Sequence, residues 1–174
     1  NKITSFWPSG NFFKAKFAEQ EQRRTQFNDT IYQLEPNVKE SPGGLRDIQT
    51  IYWVAKRHFN ANSINELVQH HFLSTEEFMQ IEAAHKYLNR VRFALQHKRK
   101  RRENRLQFDL QQSIANSFGY QDNEDKQAVE QFMNSYFRNV HNVVKYNEIL
   151  LQHFRELLFD DDESEVFFVN QNFK

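Results

Sequence analysis

Residues 34–59 read LEPNVKESPGGLRDIQTIYWVAKRHF. This stretch holds Pro36 and Pro42, two of the chain's three prolines, and Gly43 and Gly44, two of its four glycines. Pro42 favours extended backbone at the residue before it, and the two glycines permit angles that a side chain forbids, so the chain turns sharply here. Directly afterwards Leu45, Ile48, Ile51, Tyr52, Ala55 and Phe59 recur at steps of three and four. That is the apolar face of a helix whose other side carries Gln49, Lys56 and Arg57. A helix start presents unpaired backbone N–H groups and the positive end of the dipole, and glycines leave room for a close approach, which is one way to hold an anion. The plainer reading is a tight turn in which Asp47, in the first helical turn, complements the dipole. The pattern is neither a P-loop nor a dinucleotide fingerprint, and position alone does not decide between the two.

Downstream the chain reads as an unbroken series of helices. Ser63 with Glu66 and Ser74 with Glu77 have the spacing of reciprocal capping boxes. After Ser74, Ile81, Ala84, Leu88, Val91 and Leu95 make a seam for near-parallel packing in a bundle. That helix runs into six cations, Lys98, Arg99, Lys100, Arg101, Arg102 and Arg105. Cations at a helix C-terminus offset its dipole and stay solvated; the functional alternative is a phosphate-facing patch for a nucleotide triphosphate or an acidic partner. Residues 104–120 predict a shorter helix, with Leu110, Ile114 and Phe118 inward and Gly119 placed to end it. From about Asp125 to Phe159 one face stays apolar, which gives a helix of roughly 50 Å on which the others lean. The acidic run Asp160–Glu163 ends it as a solvated linker, and Val166–Val169 have the character of a short strand.

Upstream, residues 11–27 predict a helix in which Phe13 and Phe17 share a face, while the polar run from Glu19 to Arg24 offers little to bury. It reads as an arm whose aromatic cluster (Phe6, Trp7, Phe12, Phe13 and Phe17) packs against something preceding it, or as a helix folded back on the bundle. The expected fold is therefore all-α: an N-terminal helical arm over residues 1–33, a helical bundle over 34–159 with one long C-terminal helix, and an acidic linker with an extended tail over 160–174.

Composition narrows the function classes. With 174 residues, 39% apolar content and 18 phenylalanines, the chain can bury one sizeable core. Basic and acidic residues balance at 23 each, so the global field of a general nucleic-acid binder is missing, and no window approaches a membrane span or a signal peptide. Zero cysteines exclude disulfides and thiolate metal sites and fit a reducing cytoplasm. The chain opens on Asn1, not methionine, and reads as a piece of a longer product. Magnesium-dependent nucleotidyl transfer needs a Gly-Ser turn followed by paired aspartates on a strand, and neither is found in this sequence. The seven histidines form no His-Asp pair of the phosphohydrolase kind and no H-E-x-x-H run. There is no nucleophile elbow.

The run NVKESPGGLRDIQTIYWVAKRHF, together with SFWPSGNFFKAKFAEQEQRR before it and NRLQFDLQQSIANSFGY after it, resembles the region following the nucleotidyltransferase core in the bacterial PII uridylyltransferase/uridylyl-removing enzymes. A related G-G-I-R-E run ahead of a helical bundle gives a more distant likeness to glutamine synthetase adenylyltransferases. The resemblance implies a cytoplasmic parent enzyme that uses Mg2+ to transfer UMP from UTP to a tyrosine of the PII signal protein, with removal by an HD domain and glutamine sensing by ACT domains outside this chain. It also implies that Lys39, Gly43, Gly44, Arg46 and Asp47 lie beside the catalytic core as nucleotide- or core-facing candidates. Asp47 has three possible roles: capping the helix, pairing with Arg46 or a basic group of the core, or standing near magnesium. Because it lacks the catalytic carboxylates and the HD motif, the chain alone is expected to bind no metal and to transfer no UMP. The alternative is a non-catalytic helical module that binds an acidic protein or RNA through Lys98–Arg105.

Overall fold

The computed structural model of the chain describes residues 7–159. Among them are six helices and no strand: α1 (Ser9–Gln26), α2 (Leu45–Phe59), α3 (Glu66–Gln69), α4 (Thr75–Arg99), α5 (Phe108–Ser117) and α6 (Ala128–Phe159). The expected acidic linker and extended tail lie outside the described residues.

The 32 residues of α6 extend about 48 Å. Tyr87 Oη donates to the Phe132 carbonyl at 3.4 Å and Tyr146 Oη to Gln80 Oε1 at 2.8 Å, so α4 and α6 run antiparallel. The seam read from the sequence is the buried one: Ile81, Ala84, Leu88, Val91 and Leu95 all turn inward. Two apolar clusters form along this pair. One gathers Leu88, Val91, Leu95, Leu110, Ile114, Phe132 and Val140; the other gathers Phe13, Ile51, Val54, Leu67, Ile81, Leu150 and Phe154. Both draw on α6, which is why its apolar face is continuous.

The local signals hold unequally. Ser74 caps α4 with a complete box: Ser74 Oγ accepts from the Glu77 N–H at 3.2 Å, and Glu77 Oε2 accepts from the Ser74 N–H at 2.8 Å. Ser63 makes no such box. Helix α3 is a single turn, and Glu66 Oε1 reaches back to the Asn62 N–H at 3.0 Å instead. Helix α5 begins at Phe108, not at 104, because the preceding residues pair with the loop before α2. The Val38 N–H donates to the Asn104 carbonyl and the Leu106 N–H to the Pro36 carbonyl, each at 2.8 Å, across an antiparallel bridge between Asn37 and Arg105. Gly119 then takes a φ of +88° and closes the helix.

Of the two placements open to the N-terminal helix, the folded-back one is found, with α1 lying along α2 and α6. Phe13 is buried, stacks on Phe17 at 5.9 Å and meets Phe159 at 6.0 Å. Trp7 stays 44% exposed. The polar half of α1 also goes inward: Gln20 and Arg23 are buried, and Arg24 Nη1 reaches Glu148 Oε1 at 2.9 Å. No helix among the described residues is long and apolar enough to cross a membrane.

Candidate functional site

Asn37 builds the loop that leads into α2. Its Oδ1 accepts from the N–H groups of Lys39 (3.0 Å) and Glu40 (2.9 Å), its carbonyl accepts from the Ser41 N–H at 3.0 Å, and its own N–H donates to Ser41 Oγ at 2.9 Å. The loop then folds over the start of the helix. The Gly44 N–H donates to Ser41 O (2.8 Å), Leu45 to Val38 O (3.0 Å), Arg46 to Lys39 O (2.9 Å) and Asp47 to Gly44 O (3.1 Å). The Gly43 N–H donates to Asp47 Oδ2 at 2.8 Å. Every backbone donor from Gly43 to Asp47 is thus satisfied within the chain. The turn offers an anion no free N–H, and the plainer of the two readings of the glycines fits this geometry.

The glycines are there for the protein's own packing. Gly43 has a φ of +74°, and a Cβ on it would stand 2.5 Å from both Val140 Cγ1 and the Val140 carbonyl oxygen of α6. A Cβ on Gly44 would lie 2.8–2.9 Å from the carbonyl oxygens of Val38, Lys39 and Ser41, the acceptors that seal the helix start.

Asp47 also points inward. It is fully buried, pairs with the Arg23 guanidinium of α1 and not with Arg46, and caps the turn through Gly43. Gln20 Nε2 donates to Asn147 Oδ1 at 2.6 Å, and Asn147 Nδ2 donates to the Asp47 carbonyl at 3.1 Å, so one polar network joins α1, α2 and α6. Burial pushes the Asp47 carboxyl above the usual carboxylate range, opposed by the charges of Arg23 and Arg24 and by the Gly43 N–H. With its oxygens committed to Arg23 and Gly43, Asp47 does not fit a magnesium ligand. Among the described residues no three His, Asp or Glu side chains come together to hold a metal.

Lys39 and Arg46 behave differently. Both are only partly buried and converge on Glu40: Lys39 Nζ lies 2.9 Å from Glu40 Oε1, while Arg46 Nη2 and Nε reach Oε1 and Oε2 at 3.1 and 3.3 Å. Burial works to raise the Glu40 carboxyl, but the hydrogen bonds and charges of Arg46 and Lys39 hold it below the usual range. Arg46 is further fixed by Gln49 Oε1 at 3.1 Å and lies 5.5 Å from the centroid of Trp53, over whose ring Lys16 Nζ also sits at 4.7 Å. The turn therefore has two sides, with Gly43, Gly44 and Asp47 turned into the bundle and a Lys16–Trp53–Arg46–Glu40–Lys39 surface turned outward.

The basic cluster is partly neutralised by the chain itself. Arg99 bonds Gln107 Oε1 at 2.6 Å and Asp109 Oδ2 at 2.7 Å, Arg101 meets Glu103 at 3.5 Å, and Arg105 meets Glu35 at 3.4 Å. Lys98, Lys100 and Arg102 are exposed and have no ion pair among the described residues.

Sequence reasoning missed Gln20, Arg23, Glu40, Trp53 and Asn147. Gln20 and Arg23 did carry a signal, since they continue at three-residue steps the face that Phe13 and Phe17 begin.

Comparison with known proteins adds a family to this geometry. The family model described as GlnD PII-uridylyltransferase matches residues 11–151. A bifunctional uridylyltransferase/uridylyl-removing enzyme of Hydrogenovibrio crunogenus is 54% identical over 99% of the chain, which covers 20% of that enzyme. Enzymes of the same name from Pseudomonas aeruginosa PAO1 and Methylococcus capsulatus are 49% and 46% identical over 87% and 91% of the chain, which cover 17% and 18% of those proteins. The chain thus spans about a fifth of the length of these relatives. No solved structure matches it. With a model match over most of the described residues and relatives this similar across nearly the whole length, the chain belongs to the GlnD PII-uridylyltransferase family.

Proposed function

We propose that this chain is the helical domain following the nucleotidyltransferase core of a cytoplasmic PII uridylyltransferase, and that it helps complete the nucleotide or protein-substrate site through Lys39 and Arg46. The observation that carries the reading is the two-sided turn. Its inward side is consumed by packing, whereas Glu40 holds two cations side by side on the outward side, next to Trp53. Cations already fixed by a carboxylate lose little freedom when a phosphate or an acidic group of a neighbouring domain arrives. In this reading UTP, Mg2+ and the carboxylates that bind it belong to the upstream core, and the PII protein is the acceptor of UMP. Lys39 and Arg46 place and hold the substrate or the core, and no chemical step passes through them.

The test uses the full-length enzyme. Lys39→Ala and Arg46→Ala are expected to lower kcat/KM for uridylylation of PII by about tenfold each, equivalent to about 1.4 kcal/mol of transition-state stabilisation, while thermal melts stay close to wild type. Wild-type turnover in both variants would reduce the turn to a structural hinge. The isolated chain, incubated with PII and radiolabelled UTP, is expected to give no labelling above background.

A second reading rests on the exposed cations Lys98, Lys100 and Arg102, which suit an interaction module for an acidic protein. Loss and salt-insensitivity of PII or UTP binding on neutralising them would favour a contact role for that end of the domain.

A further inference from the structure

The loop between α1 and α2 and the start of α5 enclose a groove of about 650 Å³, lined by Phe27, Gln33, Leu34, Glu35, Arg105 and Phe108 among others. Two features set it apart. Leu34 is 74% exposed and Phe108 57%, although a loop and a helix start are places where a polar residue costs nothing. Single exposed apolar residues are ordinary; two converging on one groove mark a contact surface.

The groove is also held open by hydrogen bonds. Gln111 Nε2 donates to the Leu34 carbonyl at 2.8 Å, Glu35 Oε1 accepts from the Phe108 N–H at 2.9 Å, and Gln33 Nε2 donates to the Phe27 carbonyl at 3.1 Å. Leu34 and Phe108 are presented by a braced backbone and not by a loose one, so little ordering is lost on binding. The lining itself carries one charge of each sign, but the adjoining segment 98–109 has six cations against Glu103 and Asp109, so the surroundings are positive on balance. Arg105, 62% exposed in its side chain, lines the groove, and its partner Glu35 already spends its second oxygen on the Phe108 N–H. Lys100, Arg101 and Arg102 precede Arg105 in the chain, all exposed, with Glu103 between them and Arg105 and paired to Arg101.

We propose that this groove is a docking site for an extended protein segment that carries apolar side chains among acidic ones, with Leu34 and Phe108 as apolar anchors and Arg102 and Arg105 engaging the carboxylates. Charge complementarity selects the acidic sequence, and the two anchors distinguish a peptide from a simple polyanion. The proposal is independent of the role given to Lys39 and Arg46, since the two surfaces share no residue.

The probe is a short fluorescein-labelled peptide in which Asp and Glu alternate with Phe and Leu, titrated by fluorescence anisotropy against the 174-residue chain. Saturable binding is expected, weakening as salt rises. Leu34→Ser and Phe108→Ser should each weaken it by about tenfold, with unchanged melting temperatures because both side chains are already exposed. Arg102→Glu with Arg105→Glu should weaken it and flatten its salt dependence. The proposal is overturned if the peptide does not bind, or if the double serine variant binds it as well as wild type. It is equally overturned if a single-stranded RNA of matched charge binds more tightly and competes, or if sedimentation shows that the face is covered by a second copy of the chain and that Leu34→Ser releases it.

Discussion

Arg23 and Asp47 show how much depends on single side chains in this fold. They pair across α1 and α2 in a buried position, and removing one leaves the other buried without its counter-charge, a loss of about 3–5 kcal/mol. Arg23→Ala should therefore lower the urea midpoint far more than Arg46→Ala, whose guanidinium keeps water on one side. Similar melts for the two variants would contradict the buried pairing. The glycines give a companion expectation. Gly43→Ala drives a Cβ into the Val140 carbonyl at a positive φ, and overpacking alone is expected to cost about 1–3 kcal/mol, read from chemical denaturation. Gly44→Val should be worse, since three carbonyl oxygens crowd its first added carbon. Gly119→Ala, with open space around it, bears only the conformational strain of its φ of +88° and makes the matching control. Glu77 supplies the pH dependence. Hydrogen bonds from the Ser74 N–H and hydroxyl hold its carboxyl below the usual range, so its contribution is present above the unfolded pKa of about 4.3 and is lost as pH falls through the folded value. Wild type and Glu77→Gln should differ by up to about 1 kcal/mol near neutrality and converge in acid, as followed by thermal melts across that range.

Among the elements, α4 and α6 were the most legible in the sequence, and the reason is physical: each repeats an apolar residue every three or four positions over many turns, so local pattern and tertiary packing agree. Phe132, fully buried on α6, tests that agreement. Phe132→Ala should cost about 3–5 kcal/mol in denaturant unfolding, while Leu157→Ala, half exposed on the same helix, should cost little. What the sequence misjudged or left open shares a cause as well. The start of α5 and the placement of α1 are both fixed by partners remote in sequence: Pro36 and Val38 for residues 104–106, Asp47 and Asn147 for Arg23 and Gln20. No local window contains those partners. The polar run in α1 reads as solvated because a buried arginine looks like an exposed one until its carboxylate is known. The same limit applies to the site. Lys39, Gly43, Gly44, Arg46 and Asp47 were picked out as one constellation, yet the backbone sends three of them inward and two outward, a division that φ at Gly43 and the position of α6 decide.

In the whole molecule the basic cluster lies where α4 ends. The basic residues close α4, and those that are tied down meet carboxylates nearby, Arg99 with Asp109, Arg101 with Glu103 and Arg105 with Glu35. Such ties are short-range and largely exposed, so Arg99, Lys100 and Arg101 should be replaceable by glutamine at small cost. Arg99 makes the one tie between α4 and α5 in that set, at 29% side-chain exposure, so a melting temperature within a few degrees of wild type is the expected outcome. A large drop would make the cluster part of the framework.

The bond from Gln20 to Asn147 spans 127 positions of sequence. During synthesis at about 5–20 residues per second, α1 emerges roughly 6–25 s before the residue that completes its seat. For that interval Gln20 is without its partner, whereas Arg23 needs only Asp47, 24 positions on. The seat of α1 thus becomes available in two stages, first from α2 and, 100 positions after Asp47, from Asn147 of α6.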